Sequence, residues 1–256
     1  MEKLEYYLQA KKDFIHKNDY ELIPFVLNDG KKHPVAILCP GGGYKMVCTF
    51  TEGIPFARYL NSKGINAFVL YYHVKKKAFF PAPQEDLCRA IKEVFDNQEK
   101  YNLDLSNYSL WGASAGGHLV ASFGTELLGY KKYGVAKPNT LVLTYPVITF
   151  KQDTHKSTKK YHLGANPTSK MIEMCSLENI IDDNYPRTFV WCSKDDKSVS
   201  PNNSLLLVDS LKRHHIEYQF ELYPSCKHGS GLAIKTSAEG WIDKAIDFWL
   251  NKSGNK

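Results

Sequence analysis

The chain has no long apolar run. None of its stretches approaches the roughly 20 residues needed to span a bilayer, and Met1-Glu2-Lys3-Leu4-Glu5-Tyr6-Tyr7 lacks the apolar core of a secretory signal. A soluble, cytoplasmic protein is the expectation. Also missing are an internal repeat, a low-complexity tract, a Pro/Ser/Gly-rich linker and a charge block, so the 256 residues read as one domain, 1–256. Paired cysteines are absent too. Cys39, Cys48, Cys88, Cys175, Cys192 and Cys226 stand far apart, with no Cys-x-x-Cys and no repeated Cys/His spacing, which favours reduced thiols over disulfides or zinc.

What is there suits a globular core: 43% hydrophobic and 13% aromatic residues. The net charge of +6 is spread out, with only short runs such as Lys75-Lys76-Lys77 and Lys159-Lys160, so it reads as solvated surface. No nucleic-acid or membrane partner is expected.

Tyr20 to Leu27 and Pro34 to Cys39 are strand-like runs on either side of Asn28-Asp29-Gly30, and Asp-Gly is a strong hairpin signal. The chain is therefore expected to open with antiparallel strands. Ile65 to Tyr71, Tyr108 to Gly112, Thr140 to Tyr145, Thr188 to Cys192 and Tyr218 to Tyr223 follow, mostly short and nearly continuous in apolar residues, as buried parallel strands are. Between them lie helical segments. Leu87, Ala90, Ile91, Val94 and Phe95 form one apolar face, and Phe56 to Ser62, Ala115 to Thr125, Asn202 to His214 and Glu239 to Asn251 are the other candidates. The alternation predicts an α/β fold whose ligand sites lie beyond the carboxyl ends of the strands. From Pro146 to Pro186 about forty residues separate two strands, far more than an α/β loop needs, which predicts an excursion over the site.

At one strand end stands Gly112-Ala113-Ser114-Ala115-Gly116-Gly117, a Gly-x-Ser-x-Gly between the run Tyr108 to Trp111 and the helix-forming His118 to Ser122. A serine on so sharp a strand-to-helix turn exposes its hydroxyl, which is the geometry of a nucleophile. A hydroxyl is a weak nucleophile at neutral pH and needs a histidine base oriented by a carboxylate. The chain order for this turn is serine, acid, histidine, which leaves His214, His215 and His228 of nine histidines. The first two close a helical run. His228 sits in the loop Pro224 to Gly229 beyond a strand and is the candidate base. Asp195 and Asp196 both follow the strand ending at Ser193, and either could orient it. Upstream, Cys39-Pro40-Gly41-Gly42-Gly43-Tyr44 follows a strand, where consecutive glycines can turn backbone N–H groups toward a developing negative charge.

Taken together, these stretches resemble the α/β-hydrolase superfamily, and within it the small acetylxylan-esterase-like and hormone-sensitive-lipase-like carboxylesterases. The similarity runs from Ala36-Ile37-Leu38-Cys39-Pro40-Gly41-Gly42-Gly43-Tyr44 through Phe68 to Tyr72, the serine turn and Trp191 to Val199, to His228-Gly229. It implies a mostly parallel central sheet with antiparallel N-terminal strands and helices on both faces. In the family the acid precedes a Val by three residues, as in Asp196-Lys197-Ser198-Val199, which favours Asp196. Many relatives have His-Gly-Gly-Gly where this chain has Pro40.

The resemblance implies a serine esterase that cleaves short acyl esters, acetyl groups on sugars or xylo-oligosaccharides among them, through an acyl-enzyme. Its triad is Ser114, Asp196 and His228, and its oxyanion hole is the N–H groups of Gly42, Gly43 and Ala115. Tyr44, Tyr72 and Phe50 are expected to line a substrate pocket, His118 to pack behind the serine turn, and His73, His155 and His162 to be structural or solvated. The expected partner is a small-molecule ester, without metal or organic cofactor, and a homodimer is compatible with this reading. An arylformamidase, a small peptidase or an inactive hydrolase-like binding protein are the alternatives.

Overall fold

Apolar strands with little polar alternation must be covered on both faces, and that requirement sets the architecture. In the computed structural model, which describes residues 19–251, seven strands form one sheet: β1 (Glu21–Phe25), β2 (His33–Cys39), β3 (Asn66–Tyr71), β4 (Leu103–Ala113), β5 (Thr140–Thr144), β6 (Arg187–Ser193) and β7 (Tyr218–Tyr223). The order across the sheet is β1-β3-β2-β4-β5-β6-β7, with β1 antiparallel to β3 and every other pairing parallel.

The antiparallel start is present, but not as the hairpin that Asp29-Gly30 predicts. Glu21 pairs with Tyr71 and Phe25 with Ala67, so β3 lies between β1 and β2. Val35 to Cys39 are all buried, and an edge position next to β1 would leave such a run half covered. The turn chemistry of Asp29 is spent locally: its Oδ1 accepts from the Lys31 N–H at 3.0 Å and lies 2.9 Å from His33 Nε2.

The helices are α1 (Ile54–Ser62), α2 (Ala82–Asp96), α3 (Ser114–Phe123), the short α4 (Tyr130–Tyr133), α5 (Lys156–Leu163), α6 (Ser169–Met174), α7 (Asn202–Arg213) and α8 (Trp241–Leu250). The period of two along each strand divides the core. Ile37, Phe68, Leu110, Leu143 and Val190 face one layer with Leu87 and Ile91 of α2, Leu119 of α3, and Leu207 and Leu211 of α7. Leu38, Val69, Trp111, Val142 and Trp191 face the other, with Phe56 and Leu60 of α1 and Trp241 and Trp249 of α8. Burying a side chain of this size contributes about 1.5–3 kcal/mol. Every residue of α3 is buried, because it runs between the sheet and other helices.

Between β5 and β6 the expected excursion contains α5, α6 and a single 3-10 turn at Leu177–Asn179. It closes on a small cluster of its own, Val147, Phe150, Leu163 and Cys175, joined by Val199. Asn203 of α7 pins its start, accepting from the N–H groups of Ile148 and Thr149 at 2.9 and 3.1 Å. Among the described residues no helix is long and apolar enough to cross a membrane.

Candidate active site

β4 ends at Ala113 and α3 begins at Ser114 with no residue between them. Such a corner forces Ser114 to φ +52°, a left-handed conformation that a serine adopts only under constraint. The constraint is visible: a Cβ at Gly116 would stand 2.0 Å from the Cys39 carbonyl oxygen, so α3 can approach β2 this closely only with glycine there. The Ser114 carbonyl accepts from the Val147 N–H at 3.0 Å, which fastens the turn to the start of the excursion.

His228, in the loop beyond β7, brings Nε2 to 2.8 Å from Ser114 Oγ and Nδ1 to 2.7 Å from Asp196 Oδ2. Since a carboxylate can only accept, Nδ1 carries the proton and Nε2 is left to accept from the serine hydroxyl. The Asp196 side chain is 1% exposed, and its Oδ1 takes the N–H groups of Ser198 and Val199 at 2.8 and 3.0 Å. Of the two aspartates, Asp196 therefore meets the imidazole. Asp195 braces the same loop instead. It accepts from the Ser193 and Ser225 hydroxyls, each at 2.6 Å, and from the Cys226 N–H at 3.1 Å, bonds that hold its carboxyl down at about 2. His214 closes α7, bound to Asp183 at 2.7 Å, and takes no part.

The glycine loop after β2 folds back on itself, with the Gly42 carbonyl accepting from the Lys45 and Met46 N–H groups at 3.0 and 3.2 Å. Gly42 has φ +126°, and a Cβ there would lie 2.2 Å from the Met46 carbonyl oxygen. Ala115, second in α3, has an N–H with no partner inside the helix and stands at the positive end of its dipole. Gly41 is excluded as a donor to substrate, because its N–H is bound to Glu52 Oε2 at 2.7 Å.

Tyr44 and Tyr72 do not line a pocket. Both are fully buried beneath the glycine loop, where the Tyr72 hydroxyl donates to the Pro40 carbonyl at 2.6 Å and Tyr44 stacks on His162 with ring centroids 4.4 Å apart. They support the loop from below. Phe50 lies in a π-helical turn, Thr49–Gly53, and is partly exposed. His118 packs behind the serine turn as expected: Nε2 faces the Cys175 carbonyl at 2.9 Å and so carries the proton, while Nδ1 accepts from the Tyr44 hydroxyl at 3.2 Å. Burial pushes its pKa down to about 4.

Two residues escape a sequence reading. His155, half-buried at the start of α5, stands 3.3 Å through Cε1 from where a Gly43 Cβ would be; burial, then the nearby His228, lowers its pKa. Glu52 is buried under the glycine loop, where burial pushes its carboxyl up. Nothing in the local sequence marks either one.

A family model described as BD-FAE matches residues 25–211. The chain belongs to the BD-FAE family. This BD-FAE chain is 34% identical to the acetyl ester-xyloside bifunctional hydrolase of Caldicellulosiruptor lactoaceticus, whose crystal structure superposes with a TM-score of 0.81 over 91% of this chain and 88% of that one. It is 32% identical over 246 residues to endo-1,4-beta-xylanase B of Butyrivibrio fibrisolvens and 29% identical over 245 residues to an acetylxylan esterase of Xylanibacter ruminicola. Those alignments cover 93% and 88% of this chain but 38% and 50% of the two curated relatives, so it spans half their length or less. The fold of the matched BD-FAE domain is of the α/β-hydrolase type.

Proposed function

We propose that the domain hydrolyses short acyl esters, acetyl esters of sugars or xylo-oligosaccharides in particular, by two-step acyl transfer at Ser114. The observation that carries this reading is the unbroken hydrogen-bonded chain Asp196–His228–Ser114, at 2.7 and 2.8 Å, ending on a serine held at φ +52°. Ser114 Oγ attacks the ester carbonyl as His228 Nε2 takes its proton, and Asp196 steadies the imidazolium. The N–H groups of Gly42, Gly43 and Ala115 receive the oxyanion; losing one such donor typically costs about 2.7–4 kcal/mol of barrier. His228 then protonates the departing alcohol. Water attacks the acyl-enzyme, His228 takes its proton, and the acid leaves.

The sugar-ester substrate class is supported by the names of the relatives in Xylanibacter ruminicola and Caldicellulosiruptor lactoaceticus, both described as acting on acetyl esters. Residues 146–186 are assigned to covering the site, supported by His155 beside Gly43. A reducing, cytoplasmic setting is supported by six free cysteines. The test is a panel of p-nitrophenyl acetate, butyrate and octanoate with acetylated xylo-oligosaccharides, N-formylkynurenine and an aminoacyl-proline amide. Acetyl esters turn over fastest, and Ser114→Ala abolishes turnover. Preference for either amide, or full activity in Ser114→Ala, overturns the proposal.

A further inference from the structure

Glu52 is a buried carboxylate that, among the described residues, forms no ion pair with a lysine or arginine. Taking a carboxylate out of water without an ion pair costs several kcal/mol, so its retention calls for a reason. Its two oxygens are divided between two loops. Oε2 accepts from the Gly41 N–H at 2.7 Å, and Oε1 accepts from the Tyr145 hydroxyl at 2.8 Å. The Tyr145 oxygen in turn accepts from the Gly231 N–H at 3.3 Å, three residues beyond His228, and its ring centroid lies 4.8 Å from that of His228. One path, Gly41–Glu52–Tyr145–Gly231, thus ties the glycine loop to the histidine loop.

The packing around this path leaves little slack. A Cβ at Gly41 would stand 2.7 Å from Glu52 Oε2 and 2.9 Å from Ser114 Cβ, and one at Gly231 would stand 2.4 Å from the Thr51 carbonyl oxygen. Both carboxyl oxygens are engaged, one by the Gly41 N–H and the other by the Tyr145 hydroxyl. The other titratable neighbours, Cys48 and Tyr72, have their pKa values pushed up by burial and remain neutral.

We propose that Glu52 is a positioning residue for acyl transfer: it sets the oxyanion loop and the histidine loop at a fixed separation. The inference rests on the acyl-transfer reading of Ser114 and assigns Glu52 no contact with substrate. It acts through Gly41 and Tyr145.

Glu52→Gln tests it, since the amide keeps the shape but turns one acceptor into a donor and removes the charge. With p-nitrophenyl acetate, kcat falls about a hundredfold while KM stays within about threefold. Affinity for trifluoroacetone, whose carbonyl carbon bonds to Ser114 Oγ to give a tetrahedral oxyanion as the serine proton passes to His228, falls in parallel with kcat. Glu52→Asp, whose shorter side chain does not span both loops, leaves kcat low. A kcat within twofold of the parent overturns the proposal. If Glu52→Gln does not fold, Tyr145→Phe removes one joint of the same path and is read by the same fall in kcat at nearly constant KM. Should the parent hydrolyse none of the esters, the acyl-transfer reading fails by itself. The clamp is then judged by amide hydrogen exchange over residues 40–46 and 228–231, where faster exchange in Glu52→Gln supports it and unchanged exchange overturns it.

Discussion

The Tyr72 hydroxyl donates to the Pro40 carbonyl across 2.6 Å, linking the residue after β3 to the first residue of the glycine loop. Pro40 can offer no side-chain hydrogen bond, and this backbone contact anchors the loop. Tyr72→Phe leaves a buried carbonyl without its donor, which costs about 1–3 kcal/mol. Thermal melts register that loss, and kcat for p-nitrophenyl acetate drops more than KM rises. A variant with parental melting temperature and kcat would show that the contact does not hold the loop.

Asp195 and Asp196 are adjacent but serve different ends. Asp196→Asn destroys the acceptor that fixes the His228 tautomer, and kcat falls by about 10³–10⁴. Asp195→Asn loosens the base of the histidine loop and costs far less in kcat, with the difference between the two variants read from steady-state rates. Its signature lies in acid stability. The Asp195 carboxyl sits at about 2 when folded, below an unfolded value near 3.9, so its contribution is present above about pH 4 and is lost as pH falls through 2. In Asp195→Asn this part of the acid unfolding curve flattens.

His118 gives the fold a pH dependence of its own. Folded, it stays neutral with a pKa of about 4, against roughly 6.5 unfolded. The unfolded chain thus takes up a proton first, and stability present above pH 6.5 declines as pH falls to 4, by on the order of 3 kcal/mol. His118→Gln, whose amide can still donate to the Cys175 carbonyl, is expected to reduce this slope in denaturant titrations at a series of pH values. An equal slope in the variant would assign the effect to other groups.

Ser114 and His228 are legible in the sequence because chain order and strand ends restrict them before any coordinates are known. The choice between Asp195 and Asp196 is not local: it depends on which carboxylate meets an imidazole 32 residues away, and the family spacing supplied it. The Asp29-Gly30 turn misleads for a related reason. A two-residue signal describes local backbone, whereas the place of β2 is decided by burial of Val35 to Cys39 against β3 and β4. Tyr44 and Tyr72 follow the loop and the strand that frame the site, yet nothing in their neighbours tells whether the ring turns up to a ligand or down into the core. Glu52 and His155 acquire meaning only through Gly41, Tyr145 and Gly43, all distant in the chain.

The division of Asp196 between two kinds of partner separates the site mechanically. Oδ1 is spent on the N–H groups of its own turn and Oδ2 on the imidazole, so the carboxylate keeps its aim whether or not a histidine is present. Ser114 is likewise aimed by its own turn. The imidazole thus bridges two posts that are each aimed by their own turn, and a displacement of the loop that carries it would break both proton contacts at once.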